Sequence, residues 1–142
     1  MKKIILFIFL ILFCFQAVTC AALFKKKQKP VLILSPYDPR EIKYSEMPQE
    51  ISMFKTGSRI YFMIYAPDGF KSDYIKYQIV KQDDKAHVGG FTRERNVTIK
   101  VKDKNIHVDY FVMNSAGKYF IQIFDIVDVH HWLAIGAFRV SD

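Results

Sequence analysis

Asn96-Val97-Thr98-Ile99-Lys100-Val101-Lys102 alternates strictly, with Val97, Ile99 and Val101 apolar and every residue between them polar. Successive side chains of an extended strand point to opposite faces, so this stretch reads as a strand with one buried and one wet face. Asp73 to Lys81 repeats the pattern, Ile75, Tyr77 and Ile79 standing against Lys76 and Gln78. Ile60-Tyr61-Phe62-Met63-Ile64-Tyr65 is apolar on both sides, as suits a central strand whose second face is also covered. Outward from these, further short runs recur between turn residues: Val31 to Leu34, Gln49 to Phe54, Ile106 to Met113, Lys118 to Ile126 and Trp132 to Val140. Breaks fall at Ser35-Pro36, Pro67-Asp68-Gly69, Gln82 to Lys85, Asp103-Lys104-Asn105 and Asn114 to Gly117. No window carries a helical stripe, so residues 31–142 are predicted to form an all-β antiparallel sandwich of seven to eight strands. A body of that size buries about 65% of its unfolded surface and can stand without disulfides.

Ala116-Gly117-Lys118-Tyr119-Phe120-Ile121 resembles the start of the sixth strand in immunoglobulin-like domains. There a Tyr hydroxyl bonds back to the preceding turn, and the second conserved cysteine follows two residues later. The resemblance implies an immunoglobulin-like or fibronectin-like sandwich, with Tyr119 at the tyrosine corner and Ile121 at the cysteine position. With no cysteine there, and the single tryptophan, Trp132, in the last strand, a disulfide-pinned antibody domain is excluded.

Ahead of this domain, Met1-Lys2-Lys3 precedes an unbroken apolar run from Ile4 to Phe15, followed by Gln16-Ala17-Val18-Thr19-Cys20-Ala21-Ala22. A basic start, a short apolar middle and a small-residue end make the three-part layout of a secretory signal, with a helical leader over residues 1–19. The run is shorter than the ~20 apolar residues that span a bilayer, so export is favoured over a permanent span. Ala17-Val18-Thr19-Cys20 resembles the lipobox of bacterial lipoproteins, with Ala17 where that family favours Leu and Thr19 where it favours Gly, Ala or Ser. The resemblance implies acyl chains such as palmitate on Cys20, cleavage before it, and a membrane partner reached through that lipid. An ordinary leader would instead be cut before Ala22. The chain's two cysteines are Cys14, inside the apolar run, and Cys20. The mature protein therefore forms no internal disulfide, and an exposed thiol at its start is best accounted for by thioether chemistry.

Charge sorts along the chain. Of the formal +7, Lys2 and Lys3 belong to the leader, and Lys25, Lys26, Lys27 and Lys29 crowd five positions of a tether over residues 20–30. That leaves +1 for Val31 to Asp142, so the surplus speaks of export and an anionic membrane surface rather than of a nucleic acid. A length of 142 residues leaves room for one domain, and a hydrophobic fraction of 51% excludes a disordered chain.

Three constellations are candidate sites. Asp125, Asp128, His130 and His131 sit between the last two predicted strands, and imidazole with carboxylate suits zinc or another transition metal. Adjacent histidines in a strand point apart, so both reach one ion only if the chain bends there. His107 and Asp109, two apart, share a strand face opposite Ile106, Val108 and Tyr110, and a His–carboxylate pair is competent in acid–base chemistry. Their simpler reading is a polar, solvated face. Finally, Tyr61, Met63, Tyr65, Phe111, Met113, Phe120 and Phe124 form an outward apolar set, expected to be either an interaction face or a surface covered by Tyr37 to Pro48. Together these features point to an exported, lipid-anchored, non-catalytic binding module of the bacterial envelope. It would lie at the cell or outer membrane, facing periplasm or exterior, and would need no cofactor beyond the covalent lipid. The alternatives are a small metal-binding protein or metal-dependent enzyme at the histidine segment, and a structural subunit of an envelope complex.

Overall fold

The computed structural model describes residues 28–41, 52–83 and 90–142. The leader, Cys20, the tether as far as residue 27, and residues 42–48 of the expected covering segment lie outside the described residues.

Among the described residues the chain forms eight strands and no helix: β1 (Val31–Ser35), β2 (Met53–Lys55), β3 (Arg59–Tyr65), β4 (Tyr74–Gln82), β5 (Phe91–Lys100), β6 (Ile106–Val112), β7 (Gly117–Asp125) and β8 (Asp128–Ser141). They make a sheet of three, ordered β1-β3-β6, and a sheet of five, ordered β2-β8-β7-β4-β5. The pairings are antiparallel except that of β2, which runs parallel to β8. The immunoglobulin-like sandwich has this arrangement: β1, β3 and β6 take the A, B and E places, β4, β7 and β8 take C, F and G, and β5 extends the second sheet beyond C.

Alternation builds the core. Ile60, Phe62 and Ile64 of β3 face Ile75, Tyr77 and Ile79 of β4, with Tyr119, Ile121 and Ile123 of β7 and Phe138 and Val140 of β8, all buried. Aromatic rings join the sheets: Phe62 and Tyr77 have centroids 5.2 Å apart, Phe111 and Phe138 5.5 Å. At Gly136 of β8, an added Cβ would stand 3.1 Å from Leu32 Cδ2, so the glycine is what lets β1 lie close over the second sheet.

Two strands begin four or five residues before their sequence-predicted starts. β5 begins at Phe91 rather than Asn96, because Phe91, Thr92 and Arg93 pair with Gln82, Lys81 and Val80 across a bulge at Ile79/Val80. This part of β5 is an edge strand with mostly exposed side chains, so its polar sequence conceals an extended backbone. β8 begins at Asp128 rather than Trp132, joined to β7 by the two-residue turn Ile126-Val127.

The tyrosine corner is present. Tyr119 Oη donates to Ser115 O at 2.8 Å and lies 2.8 Å from Ser115 Oγ, while its ring stacks on Phe138 at 5.4 Å. Gly117 makes room for that ring, since a Cβ there would lie 3.3 Å from Tyr119 Cε2. Tyr119→Phe keeps the stacking and removes both hydrogen bonds. The expected loss is about 1–2 kcal/mol in urea unfolding, with the denaturant slope unchanged.

Candidate functional site

Residues directly opposite one another on antiparallel strands share a sheet face. The pairs Ile60↔Phe111, Phe62↔Asp109 and Ile64↔His107 therefore turn Phe111, Asp109 and His107 inward together with the core residues of β3. This corrects two expectations. Phe111 and Met113 are not outward: they are buried, at 1% and 6% exposure. His107 and Asp109 are not on a solvated face but on the inner face of β6, at the edge where the sandwich opens.

The outer face of the three-stranded sheet carries a different set. Along β3 it presents Arg59, Tyr61, Met63 and Tyr65, and along β6 Ile106, Val108, Tyr110 and Val112, paired in register. The Arg59 guanidinium stands 4.9 Å above the Tyr110 ring and its side chain also bonds Tyr61, whose ring lies 5.6 Å from that of Tyr110. Tyr65 and Tyr110 are exposed. Of the predicted interaction face, Tyr61, Met63 and Tyr65 thus belong to one real surface. Phe120 lies on the opposite sheet, where its ring meets Phe91 edge-on at 5.7 Å, and Phe124 is buried. β7 is in the other sheet from β3 and β6, so the three-strand patch does not form. Tyr110 and Arg59 were missed because their partner strand is distant in sequence. The one available signal was the parity of β6, where both faces are apolar and alternation alone is ambiguous.

At the open edge, β5 and β6 flank a cleft of about 600 Å³ whose lining includes Arg40, Lys100, Lys102, Asp103, His107 and Asp109. His107 packs on Phe62, ring centroids 6.1 Å apart, and its Nε2 is buried with no hydrogen-bond partner among the described residues. Burial pushes its imidazole below the ordinary value of 6.5; Asp109 pulls it up and Lys102 pushes it down. Nearby, Arg95 reaches across the opening, with Nη2 3.5 Å from Val112 O and a side-chain bond to Tyr77. Burial raises the Tyr77 hydroxyl, which Arg95 offsets. The cleft lining holds an imidazole and a carboxylate but, among the described residues, no Ser, Thr or Cys for that pair to activate.

The histidine segment is no loop tip. His130 and His131 lie on β8, where the ladder skips from Phe124↔Trp132 to Asp125↔Asp128 and leaves Val129, His130 and His131 bulged out. His131 Nδ1 is 3.0 Å from Asp128 Oδ1, and this hydrogen bond lowers the Asp128 carboxyl from its ordinary range. Asp125 is removed from the metal set. It is buried at 1% exposure, and its two oxygens accept from Lys71 N at 2.8 Å and Val127 N at 3.2 Å. Among the described residues no three His, Cys, Asp or Glu side chains converge in a way that would hold an ion.

No protein-family profile matches the chain. No curated protein matches it either. Solved structures similar in shape include the soluble domain of PmoD from a Methylocystis species, with 12% identity over 79% of this chain and 90% of that one, at a TM-score of 0.49. An immunoglobulin-like protein from Pseudomonas aeruginosa has 11% identity over 82% of this chain and 99% of its own, at a TM-score of 0.47. A superoxide reductase (neelaredoxin) from Ignicoccus hospitalis has 6% identity over 80% and 81%, at a TM-score of 0.43. These proteins differ in function, and the likeness is one of shape.

Asp125→Ala leaves the Lys71 and Val127 amides without their acceptor and is expected to cost about 1–3 kcal/mol in urea unfolding. For His107, the folded chain binds fewer protons than the unfolded chain below pH 6.5. Its contribution to stability is thus intact above that pH and declines as pH falls toward the lowered folded-state value. Urea midpoints at pH 7.5, 6.5 and 5.5 should fall more steeply for the natural chain than for His107→Phe.

Proposed function

We propose that the chain is an exported bacterial lipoprotein, held at a membrane through lipid on Cys20, whose immunoglobulin-like domain is a non-catalytic binding module of the envelope. The observation that carries this reading is the order of the first 31 residues: a basic start, an apolar run, a small-residue end at Cys20, and a lysine-rich tether running straight into β1 at Val31. Each buried CH₂ of an acyl chain contributes ~0.8 kcal/mol, so several chains anchor the protein without the polypeptide entering the bilayer. Each lysine held close to an anionic surface adds about 1 kcal/mol. The nearly neutral domain is then presented on a charged stalk.

The binding surface is the outer face of the three-stranded sheet. Tyr and Arg dominate the energetics of protein interfaces because they combine large apolar area with polar ends. Arg59, Tyr61, Tyr65 and Tyr110 supply that chemistry on a rigid sheet, and the partner is a protein or another envelope component.

The mass of the mature N-terminal peptide tests the anchor. A lipid-modified peptide starting at Cys20 is expected, and Cys20→Ser should move the protein from the membrane to the soluble fraction. An unmodified start at Ala22 overturns the reading.

A further inference from the structure

Loop tips between strands are ordinarily polar, yet the β7–β8 hairpin ends in Ile126 and Val127, exposed at 42% and 65%. Val129, on the bulged part of β8, and Trp132, which re-enters the ladder opposite Phe124, are exposed at 45% and 55%. The tip is a built feature: Asp125, buried beneath it, holds the Val127 amide with one oxygen and ties the hairpin to the loop after β3 through Lys71 N with the other. That loop is bound in turn to the segment before β6, since Asn105 Nδ2 donates to Ala66 O at 2.8 Å and Lys104 O accepts from Phe70 N at 2.8 Å. The hairpin tip and the loops of residues 66–73 and 101–105 therefore share one end of the sandwich.

The same end receives the N-terminal segment. Val31 opens β1 opposite Tyr65, the last residue of β3, and Tyr65 is opposite Ile106, the first of β6. The chain running from the leader and Lys25–Lys29 thus joins the domain where the apolar tip projects. In the loops and hairpin of this end, Lys71, Lys102 and Lys104 are outnumbered by Asp68, Asp73, Asp103, Asp125 and Asp128, so the tip's own attraction is apolar and the charge attraction comes from the tether.

We propose that the hairpin tip formed by Ile126, Val127, Val129 and Trp132 rests in the headgroup–acyl boundary of the membrane that carries the anchor, docking the domain upright on the lipid surface. The inference rests on the anchor reading. Tryptophan favours this boundary, where its ring is apolar and its N–H is wet. Two contacts, the lipidated terminus and the tip, orient the domain, and the Arg59–Tyr61–Tyr110 face is left pointing sideways, parallel to the membrane.

Trp132 is the chain's single tryptophan and so reports on the tip directly. The test uses the full-length gene product, extracted from membranes of an expressing bacterium and reconstituted into phosphatidylethanolamine–phosphatidylglycerol vesicles, with and without brominated acyl chains. The expected result is flotation with the vesicles, a blue shift of Trp132 emission, and its quenching by brominated lipid, retained in 0.5 M salt as an experimental condition chosen to screen charge. The double variant Ile126→Ser, Val127→Ser should still float and keep its thermal midpoint, but lose most of the quenching. Flotation of the natural protein with unquenched Trp132 overturns the tip contact and leaves the anchor standing. Failure to float overturns both.

Discussion

The sandwich depends on a chain of aromatic rings that crosses from one sheet to the other. Phe62 of β3 touches Tyr77 of β4 and lies 6.1 Å from Phe111 of β6; Phe111 meets Phe138 of β8, which stacks on Tyr119 and takes Phe54 edge-on at 6.1 Å. Rings of this kind bury large apolar areas, and each favourable pair adds ~0.5–1.5 kcal/mol beyond burial. No disulfide spans the sheets, so this column and the isoleucines around it bear the association that a cystine contributes in antibody domains. Tyr119 serves twice, its ring in the column and its hydroxyl closing the turn before β7.

Once the column sets which face of each strand is inward, the polar residues follow without further choice. His107 and Asp109 come to the inner edge because Phe111, four and two residues on, must reach the column. The cost is visible at His107 Nε2, buried and without a partner among the described residues, and in the downward push on the imidazole. The other face of the same sheet inherits what remains, the tyrosines and Arg59. Inner edge and outer face are thus two consequences of one register.

The ends of the sandwich differ for a related reason. Asp125 gives up both oxygens to backbone amides, which draws the hairpin and the loop after β3 together at the end where β1 begins. A residue that looks from its neighbours like a metal ligand is instead a buried joint, and the apolar turn it supports stays outside. The start of β1 and the apolar tip therefore share one end of the sandwich.

By itself the sequence determined the fold class, most strand positions, the inward faces of β4 and of the latter half of β5, and the tyrosine corner. Each of these follows from local alternation or from a short motif whose contact is made within a few residues. It also determined that the positive surplus lies ahead of Val31 and leaves the rest of the chain nearly neutral. Tertiary structure alone decided which face of β6 is inward, since both its faces are apolar and only its pairing with β3, some fifty residues earlier, breaks the tie. It alone revealed that β5 starts within a polar stretch, that Phe120 and Tyr61 lie on different sheets, and that Asp125 is occupied. In every such case the deciding interaction is a backbone pairing or hydrogen bond between separate segments of the chain, which no pattern within either segment encodes.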